Sequence, residues 1–308
     1  MRKILVLLSL SLISQLMALV IVDNKGISHE YPYETFFRVQ GKEFTTTKEL
    51  DGEIQTSTWK GMRFDTWLQE QDLGEYSRIK FVSSDRYEVS FNRVEWDTLS
   101  CWLAYSKDDE IFPQEQLRVI FPYLRSQYWV RNLKQVHLED YKQIAMPKRF
   151  IPFSAFMGSQ KLIKDPQPFV RLQGYRFDDF ISILSEKPSK EIVLYSKDGL
   201  TQNLSYPAQL AGAVLELTES GSYNLKSPQI PGGMWMKDII YLQCDAVALI
   251  HEKHISALIP LARILEWDLS PEVKVKLNYA QGEEIQVLGD ALAEPMIFEG
   301  IQDFELIP

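Results

Sequence analysis

The chain has 308 residues, of which 45% are hydrophobic and 24% charged, a balance that is typical of a packed globular protein and excludes a disordered one. Its net charge of −9, without any long basic run, excludes nucleic-acid binding through phosphate neutralisation. Two cysteines, Cys101 and Cys244, are too few for a disulfide framework, although a single pairing between them stays open.

The N-terminus has the pattern of a secretory signal. Arg2 and Lys3 precede an apolar stretch over residues 4–13, so residues 1–18 are predicted to be a signal peptide that ends at Ala18. The apolar run continues to residue 22, however, and its 19 residues are close to the length of a spanning helix, so an uncleaved anchor is the alternative. Either way we expect an extracytoplasmic protein, periplasmic or secreted, with membrane contact only if the segment is retained.

The first half of the chain predicts a mixture of strands and short helices. Extended segments are expected at residues 36–41 and 42–47, and helices at 63–71 and 96–105. Strands are expected at residues 79–83, 88–91 and 117–122, with a closing strand at 128–138. Five of the seven tryptophans fall in this half, where they are interpreted as core residues, with an aromatic ligand pocket as the alternative. These are Trp59, Trp67, Trp96, Trp102 and Trp129.

Four prolines between residues 146 and 168 predict a linker into a second half. Beyond it we expect a helix that ends at Leu184, strands at residues 191–196 and 200–206, and a closing segment at 234–244. Residues 251–308 predict a further helix and β-hairpin.

The two halves repeat each other. Residues 59–65 (Trp-Lys-Gly-Met-Arg-Phe-Asp) return as 172–178 (Leu-Gln-Gly-Tyr-Arg-Phe-Asp), and 81–85 return as 194–198. Residues 128–133 return as 234–239, so three anchors keep their order. The sequence therefore predicts one domain at 19–145, a second at 146–250, and a β-rich extension at 251–308, with a third, partial repeat as the alternative for that extension.

The order of these motifs resembles the oxidoreductase molybdopterin-binding domain, the catalytic fold of sulfite oxidase and of the periplasmic methionine-sulfoxide reductase catalytic subunit. The matching pieces are Trp-Lys-Gly at 59–61, Ser-Ser-Asp-Arg-Tyr at 83–87, Leu-Arg-Val-Ile-Phe-Pro at 117–122 and Trp-Val-Arg-Asn-Leu at 129–133. The resemblance implies an α+β fold, with two tandem sulfite-oxidase-type units and the C-terminal extension.

The chain departs from that family at the metal ligand. The resemblance implies a cysteine thiolate shortly before Trp-x-Gly, a soft ligand that suits such a metal, but residues 51–58 and 165–172 contain no cysteine. What remains of a cradle for an anionic group is Arg118 and Arg131, with Lys237 answering Arg131 in the second copy. Ordinary charges at strand ends are the other interpretation of these three.

The sequence therefore favours an exported, non-catalytic binding or scaffolding protein that needs no cofactor and recognises a small ligand or an exported protein. The alternative is a periplasmic molybdenum-cofactor oxidoreductase, which would hold molybdopterin, or its partner subunit.

Two further patterns are weighed. His251 and His254 are three residues apart, which is not the spacing of the zinc motif His-Glu-x-x-His, so no metal site is predicted. Asp85 and Asp198 occupy the same turn of each repeat, which favours side-chain capping of the turn over acid–base catalysis.

Overall fold

A computed structural model describes residues 18–38, 41–50, 53–140, 143–185, 191–298 and 300–307. The predicted signal peptide, apart from Ala18, lies outside these residues. The fold is α+β, as expected. The described residues form two compact units, one within Met1–Lys142 (unit 1) and one within Gln143–Pro308 (unit 2).

Unit 1 consists of two sheets and three short helices. One sheet has the strand order β2-β1-β10-β5-β6, and the other has the order β3-β4-β7-β8, with β9 paired to β7. The strands are β1 (Ala18–Val22), β2 (Ser28–Pro32), β3 (Lys42–Leu50), β4 (Glu53–Arg63), β5 (Arg78–Ser83), β6 (Glu88–Asn92), β7 (Trp102–Lys107), β8 (Glu110–Ile111), β9 (Arg118–Ile120) and β10 (Leu133–Glu139). The helices are α1 (Tyr33–Arg38), α2 (Phe64–Gln69) and α3 (Arg93–Trp96).

One large apolar cluster joins the two sheets of unit 1. Phe81 on β5 and Val136 on β10 belong to the same buried cluster as Leu103 on β7 and Val119 on β9. Strands such as β5 and β6 alternate buried and partly exposed residues, which is the pattern of a sheet that covers a core with one face.

Unit 2 also has two sheets. The larger has the order β15-β14-β18-β19-β11-β22-β20-β21, and the smaller has the order β12-β13-β16-β17. The strands are β11 (Arg149–Pro152), β12 (Ile163–Lys164), β13 (Gln173–Arg176), β14 (Glu191–Ser196), β15 (Thr201–Ser205), β16 (Val214–Leu217), β17 (Tyr223–Lys226), β18 (Ile239–Cys244), β19 (Val247–Ile250), β20 (Lys274–Tyr279), β21 (Gly282–Val287) and β22 (Ile301–Ile307). The helices are α4 (Phe153–Met157), α5 (Phe177–Leu184), α6 (Leu258–Ile264) and α7 (Leu288–Ala293).

The same local contacts occur at matching positions of the two units. The first backbone N–H of α2, at Phe64, donates to the carbonyl of Cys101 at 2.9 Å, and that of α5, at Phe177, donates to Ala213 at 2.9 Å. The indole N–H of Trp129 donates to the carbonyl of Phe121 at 2.9 Å. In unit 2, Trp235 makes the same bond to Ser227 at 3.0 Å.

The C-terminal residues continue the large sheet of unit 2. Strands β21, β20 and β22 are neighbours in that order, as β6, β5 and β10 are in unit 1. A short helix follows the hairpin in both cases, α3 after β6 and α7 after β21. Residues 251–307 therefore share a three-stranded arrangement and a short helix with part of unit 1. Among their described residues, no strand matches β7 or β9.

Three predicted elements are wrong. Residues 36–38 end helix α1 instead of forming a strand. The helix predicted at 96–105 is strand β7, whose central four residues are all buried, so that the sequence lacks the alternation by which a strand is recognised. The predicted linker at 146–168 contributes β11, which pairs with β19 and β22 inside the large sheet. Pro152 ends that strand and precedes α4, a position where a missing N–H is tolerated.

The residues predicted as a possible anchor lie only partly in the described structure. Their last five, Ala18–Val22, form β1, which pairs with β2 and β10. Within the described part of the chain, no helix is both long and apolar enough to span a bilayer.

Candidate functional site

A cavity of about 250 Å³ opens on one face of the second sheet of unit 1. Thr46 on β3 pairs with Ser57 on β4, and Trp59 on β4 pairs with Lys107 on β7, so these four side chains lie on one face. The segment after β9, which carries Ser126, Trp129 and Arg131, closes the other side. We call this cavity the cationic groove, after the four basic residues that line it, Lys48, Lys107, Arg118 and Arg131.

The register of two short strands sets Arg118 and Arg131 against each other. Val119 and Val130 form an isolated antiparallel bridge, with backbone N–H to carbonyl distances of 2.8 and 3.0 Å. In antiparallel pairing the residue before Val119 stands opposite the residue after Val130, so the two arginines are cross-strand neighbours. Like charges in that position repel each other, and the pair needs an anion or water to compensate it.

The residues that line the groove carry an excess of positive charge, although the ammonium of Lys107 pairs with the carboxylate of Asp108 at 3.4 Å. No acidic residue is found among the described residues that line the groove. Burial, followed by the nearby Arg131, lowers the pKa of Arg118, while Glu110 acts in the opposite direction. The Nε atom of Arg118 is buried without a hydrogen-bond partner in the described structure. Its guanidinium lies 4.0 Å from the centre of the Phe112 ring, a cation–π contact that holds the group in place without neutralising it.

Two indoles form the apolar part of the groove. The rings of Trp59 and Trp129 meet edge to face with centroids 5.7 Å apart. Trp59 is only 3% exposed, and its Nε1–H donates to the hydroxyl of Thr46 at 2.9 Å. Because the N–H of Trp129 also has a partner, in the carbonyl of Phe121, these rings offer a ligand ring surface and no free donor. Trp59 thus belongs mainly to the core and Trp129 to both core and groove.

Sequence reasoning found Arg118 and Arg131, which the structure brings together, and missed the contributions of Lys48 and Lys107. Lys107 was missed because the predicted helix at 96–105 left it in the turn that follows, with no reason to place its side chain beside Trp59. The signal that could have found Lys48 is the alternation along residues 42–48, which puts it on the face of Thr46.

Lys237 occupies the corresponding position of unit 2. Leu225 and Met236 form an isolated bridge there, so Lys237 stands opposite Asn224 as Arg131 stands opposite Arg118. The side-chain oxygen of Asn224 accepts a hydrogen bond from the backbone N–H of Asp238 at 2.9 Å. The pair in unit 2 therefore carries one charge where the pair in unit 1 carries two.

The donor set of the groove does not fit a thiolate-held metal. Cys101 and Cys244 are not joined by a disulfide; each is fully buried in its own unit, and neither lines the groove. Burial raises the pKa of the Cys101 thiol well above its usual value, which disfavours the thiolate that a metal needs. Lysine, arginine and hydroxyl groups suit an anion instead.

The other sequence candidates have structural roles. The hydroxyls of Ser83 and Ser196 donate to the carboxylates of Asp85 and Asp198. Asp85 also accepts from the backbone N–H of Tyr87 at 3.2 Å, so the predicted turn-capping role is confirmed. Asp198 accepts likewise from Leu200 at 3.4 Å.

The rings of His251 and His254 lie with centroids 5.3 Å apart. His251 Nδ1 accepts a hydrogen bond from the backbone N–H of Lys253 at 3.3 Å. Across the described ranges, no group of three or more His, Cys, Asp or Glu side chains is arranged to hold a metal ion.

Comparison with known proteins gives a distant likeness. No family model matches the chain, and no curated protein matches it. Among solved structures, the sulfane dehydrogenase SoxCD from Paracoccus pantotrophus is similar over 67% of this chain and 68% of its own, with 13% identity and a TM-score of 0.33.

Proposed function

We propose that this protein is an exported, non-catalytic binding protein whose unit 1 holds a small anionic ligand in the cationic groove. The observation that carries the proposal is the cross-strand pair of Arg118 and Arg131, with a buried Arg118 Nε that has no partner in the described structure. A bound anion would satisfy this donor and cancel the repulsion between the two guanidinium groups.

The lining supports binding more than catalysis. Its side chains are cations, hydroxyls, amides and apolar rings. Neither a carboxylate nor an imidazole, which would move a proton at neutral pH, is among the described lining residues. Export is proposed from the charged and apolar N-terminal pattern, and duplication of one domain from the matched sequence motifs and the matched hydrogen bonds.

The test is calorimetric titration of the full chain with phosphate, sulfate, succinate and oxalate at low salt. Replacing Arg118 by Gln should weaken binding of the best anion by about 10- to 100-fold, because a hydrogen bond to a charged group contributes about 1.5–3 kcal/mol. Arg131→Gln should act in the same direction.

Lys134→Gln is the matched control, since Lys134 is an exposed cation on β10 that does not line the groove. It removes the same charge from the protein and should leave affinity unchanged. Equal losses for all three variants would show that net charge alone attracts the anion. Stoichiometric molybdenum in protein purified from its natural host would contradict the non-catalytic proposal.

A further inference from the structure

The two units differ at one register position beside the groove. In unit 1, Ala104 on β7 stands opposite Arg118 on β9 and opposite Gly61 on β4. In unit 2, the corresponding residue on β16 is Glu216, which stands opposite Asn224 on β17 and Gly174 on β13. Where unit 1 has a methyl group, unit 2 therefore has a carboxylate.

That carboxylate is fully engaged. One oxygen of Glu216 accepts from the side-chain amide of Asn224 at 3.0 Å, and the other accepts from the ammonium of Lys226 at 3.0 Å. The Lys226 ammonium also lies 5.9 Å from the ring centre of Trp235, which corresponds to Trp129. Unit 2 thus supplies its own anion, the Glu216 carboxylate. It is bound by Asn224, which occupies the register position of Arg118.

In unit 1 the same place is empty of charge. Ala104 is fully buried and packs with Trp59, Phe112 and Ile120, so its methyl group lies on the face that the groove covers. Ile120 stands where unit 2 has Lys226, two residues after the register position of Arg118. Unit 1 keeps a cation at that register position and lacks the carboxylate that its counterpart has in unit 2.

We infer that the ligand of the cationic groove presents a carboxylate to Arg118, in the place that the Glu216 side chain takes in unit 2. This inference rests on the proposed function and names the chemical class of the ligand. A planar carboxylate can accept hydrogen bonds from two parallel N–H groups of a guanidinium at once. A lysine ammonium, which acts as a point charge, has no such preference.

The remaining lining narrows the class further. Arg131 provides for a second anionic group, beside Lys107, whose ammonium lies 3.4 Å from the carboxylate of Asp108. The hydroxyls of Ser57 and Ser126 provide for a ligand hydroxyl. A volume of about 250 Å³ limits the ligand to a compact molecule. The ligand is therefore a small dicarboxylic or hydroxycarboxylic acid, either free or at the end of a larger molecule.

The first experiment separates this inference from the proposed function. The full chain is titrated at equal ionic strength with succinate, malate and glucuronate, and in parallel with phosphate and sulfate. We expect at least tenfold tighter binding of one carboxylate than of either inorganic anion, and loss of that preference in Arg118→Gln. If phosphate or sulfate binds as tightly in an Arg118-dependent manner, the inference is overturned while the proposed function stands. If no anion binds in an Arg118-dependent manner, both fail.

The second experiment exchanges the two units' residues. Ala104→Glu places a carboxylate opposite Arg118, and we expect it to lower the affinity for succinate at least tenfold and to raise the melting temperature above that of Ala104→Gln, which has the same size without the charge. A lower melting temperature than Ala104→Gln would contradict a carboxylate at this place.

The reciprocal change, in unit 2, tests the inference even if Ala104→Glu fails to fold. Glu216→Ala leaves Asn224 and Lys226 without their anion, and we expect 50 mM acetate to raise its melting temperature by more than the same concentration of chloride does. Glu219→Ala, an exposed carboxylate two residues beyond β16, is the control and should respond equally to both salts. An equal response in Glu216→Ala would overturn the inference that this place is built for a carboxylate.

Discussion

Replacing Gly61 by alanine should destabilise unit 1 strongly. A Cβ atom at Gly61 would lie 2.4 Å from the carbonyl oxygen of Leu103 and 2.8 Å from the Cα of Ala104, both backbone atoms of the paired strand β7. Ordinary contact begins near 3.4 Å, so the two strands would have to separate by about 1 Å. Overpacking of this kind costs about 1–3 kcal/mol, and a weakened ladder hydrogen bond adds about 1 kcal/mol, giving a loss of about 2–4 kcal/mol.

The corresponding change in unit 2, Gly174→Ala, should cost less. Its Cβ would meet the carbonyl oxygen of Leu215 and the Cγ1 of Val214, each at 2.7 Å. The valine methyl can rotate away, and the backbone oxygen is met at 2.7 Å instead of the 2.4 Å at Gly61, so we expect about 1–3 kcal/mol. Gly232→Ala is the control, because nothing lies within 4 Å of its added Cβ and the exchange should be neutral or slightly stabilising.

Because the chain has two units, a single melting curve need not describe one transition. Native-state hydrogen exchange resolved by peptide measures each unit separately. Gly61→Ala should raise exchange in β4, β7 and β10 while unit 2 stays protected, and Gly174→Ala should do the reverse. Losses below 0.5 kcal/mol in both variants, no larger than for Gly232→Ala, would refute close backbone approach as the reason for these glycines.

Two further predictions concern single side chains of unit 1. Thr46→Val should destabilise unit 1 by about 1–3 kcal/mol in urea unfolding, because it leaves the buried N–H of Trp59 without its acceptor. Thr45→Val, on the exposed face of the same strand, is the control and should leave the free energy of unfolding nearly unchanged. Burial, and then the nearby Lys80, lower the pKa of His137 below 6.5, so the unfolded chain takes up a proton at a higher pH than the folded one. Stability should therefore fall as the pH drops below about 6.5, and the fall should be shallower in His137→Gln, measured by urea midpoints from pH 7.5 to 5. A midpoint that is unchanged over this range in both proteins would contradict the assignment.

Much of the fold could be predicted from the sequence where short motifs fix local geometry. Ser-x-Asp predicted the turn at Asp85 because its side chains bond within a few residues of each other. The Gly61 and Gly174 motifs preceded helices in both halves, as α2 and α5 show. Such features depend on neighbours in the chain, so a local pattern is enough to reveal them.

Elements whose character depends on distant partners could not be predicted. Strand β7 is covered on both faces, and its buried run reads equally well as an inward-facing helix. Strand β11 follows a proline-containing segment and gains its place by pairing with β19 and β22, which come about 100 and 150 residues later. The contribution of Lys107 to the cationic groove was hidden for the same reason, because Lys107 enters it through β7.

The charge difference between the two units could not be predicted from the sequence either, because it depends on the register of β7. With residues 96–105 predicted as a helix, Ala104 had no partner in the repeat, whereas the strand register sets it at the position of Glu216. At that position, unit 2 satisfies its cation internally, and unit 1 keeps two opposed guanidinium groups that lower its own stability. An anion bound between the two groups would remove this repulsion and satisfy the buried Nε of Arg118. Under the proposed function, the open position in unit 1, more than any single basic residue, is the place that a bound carboxylate would fill.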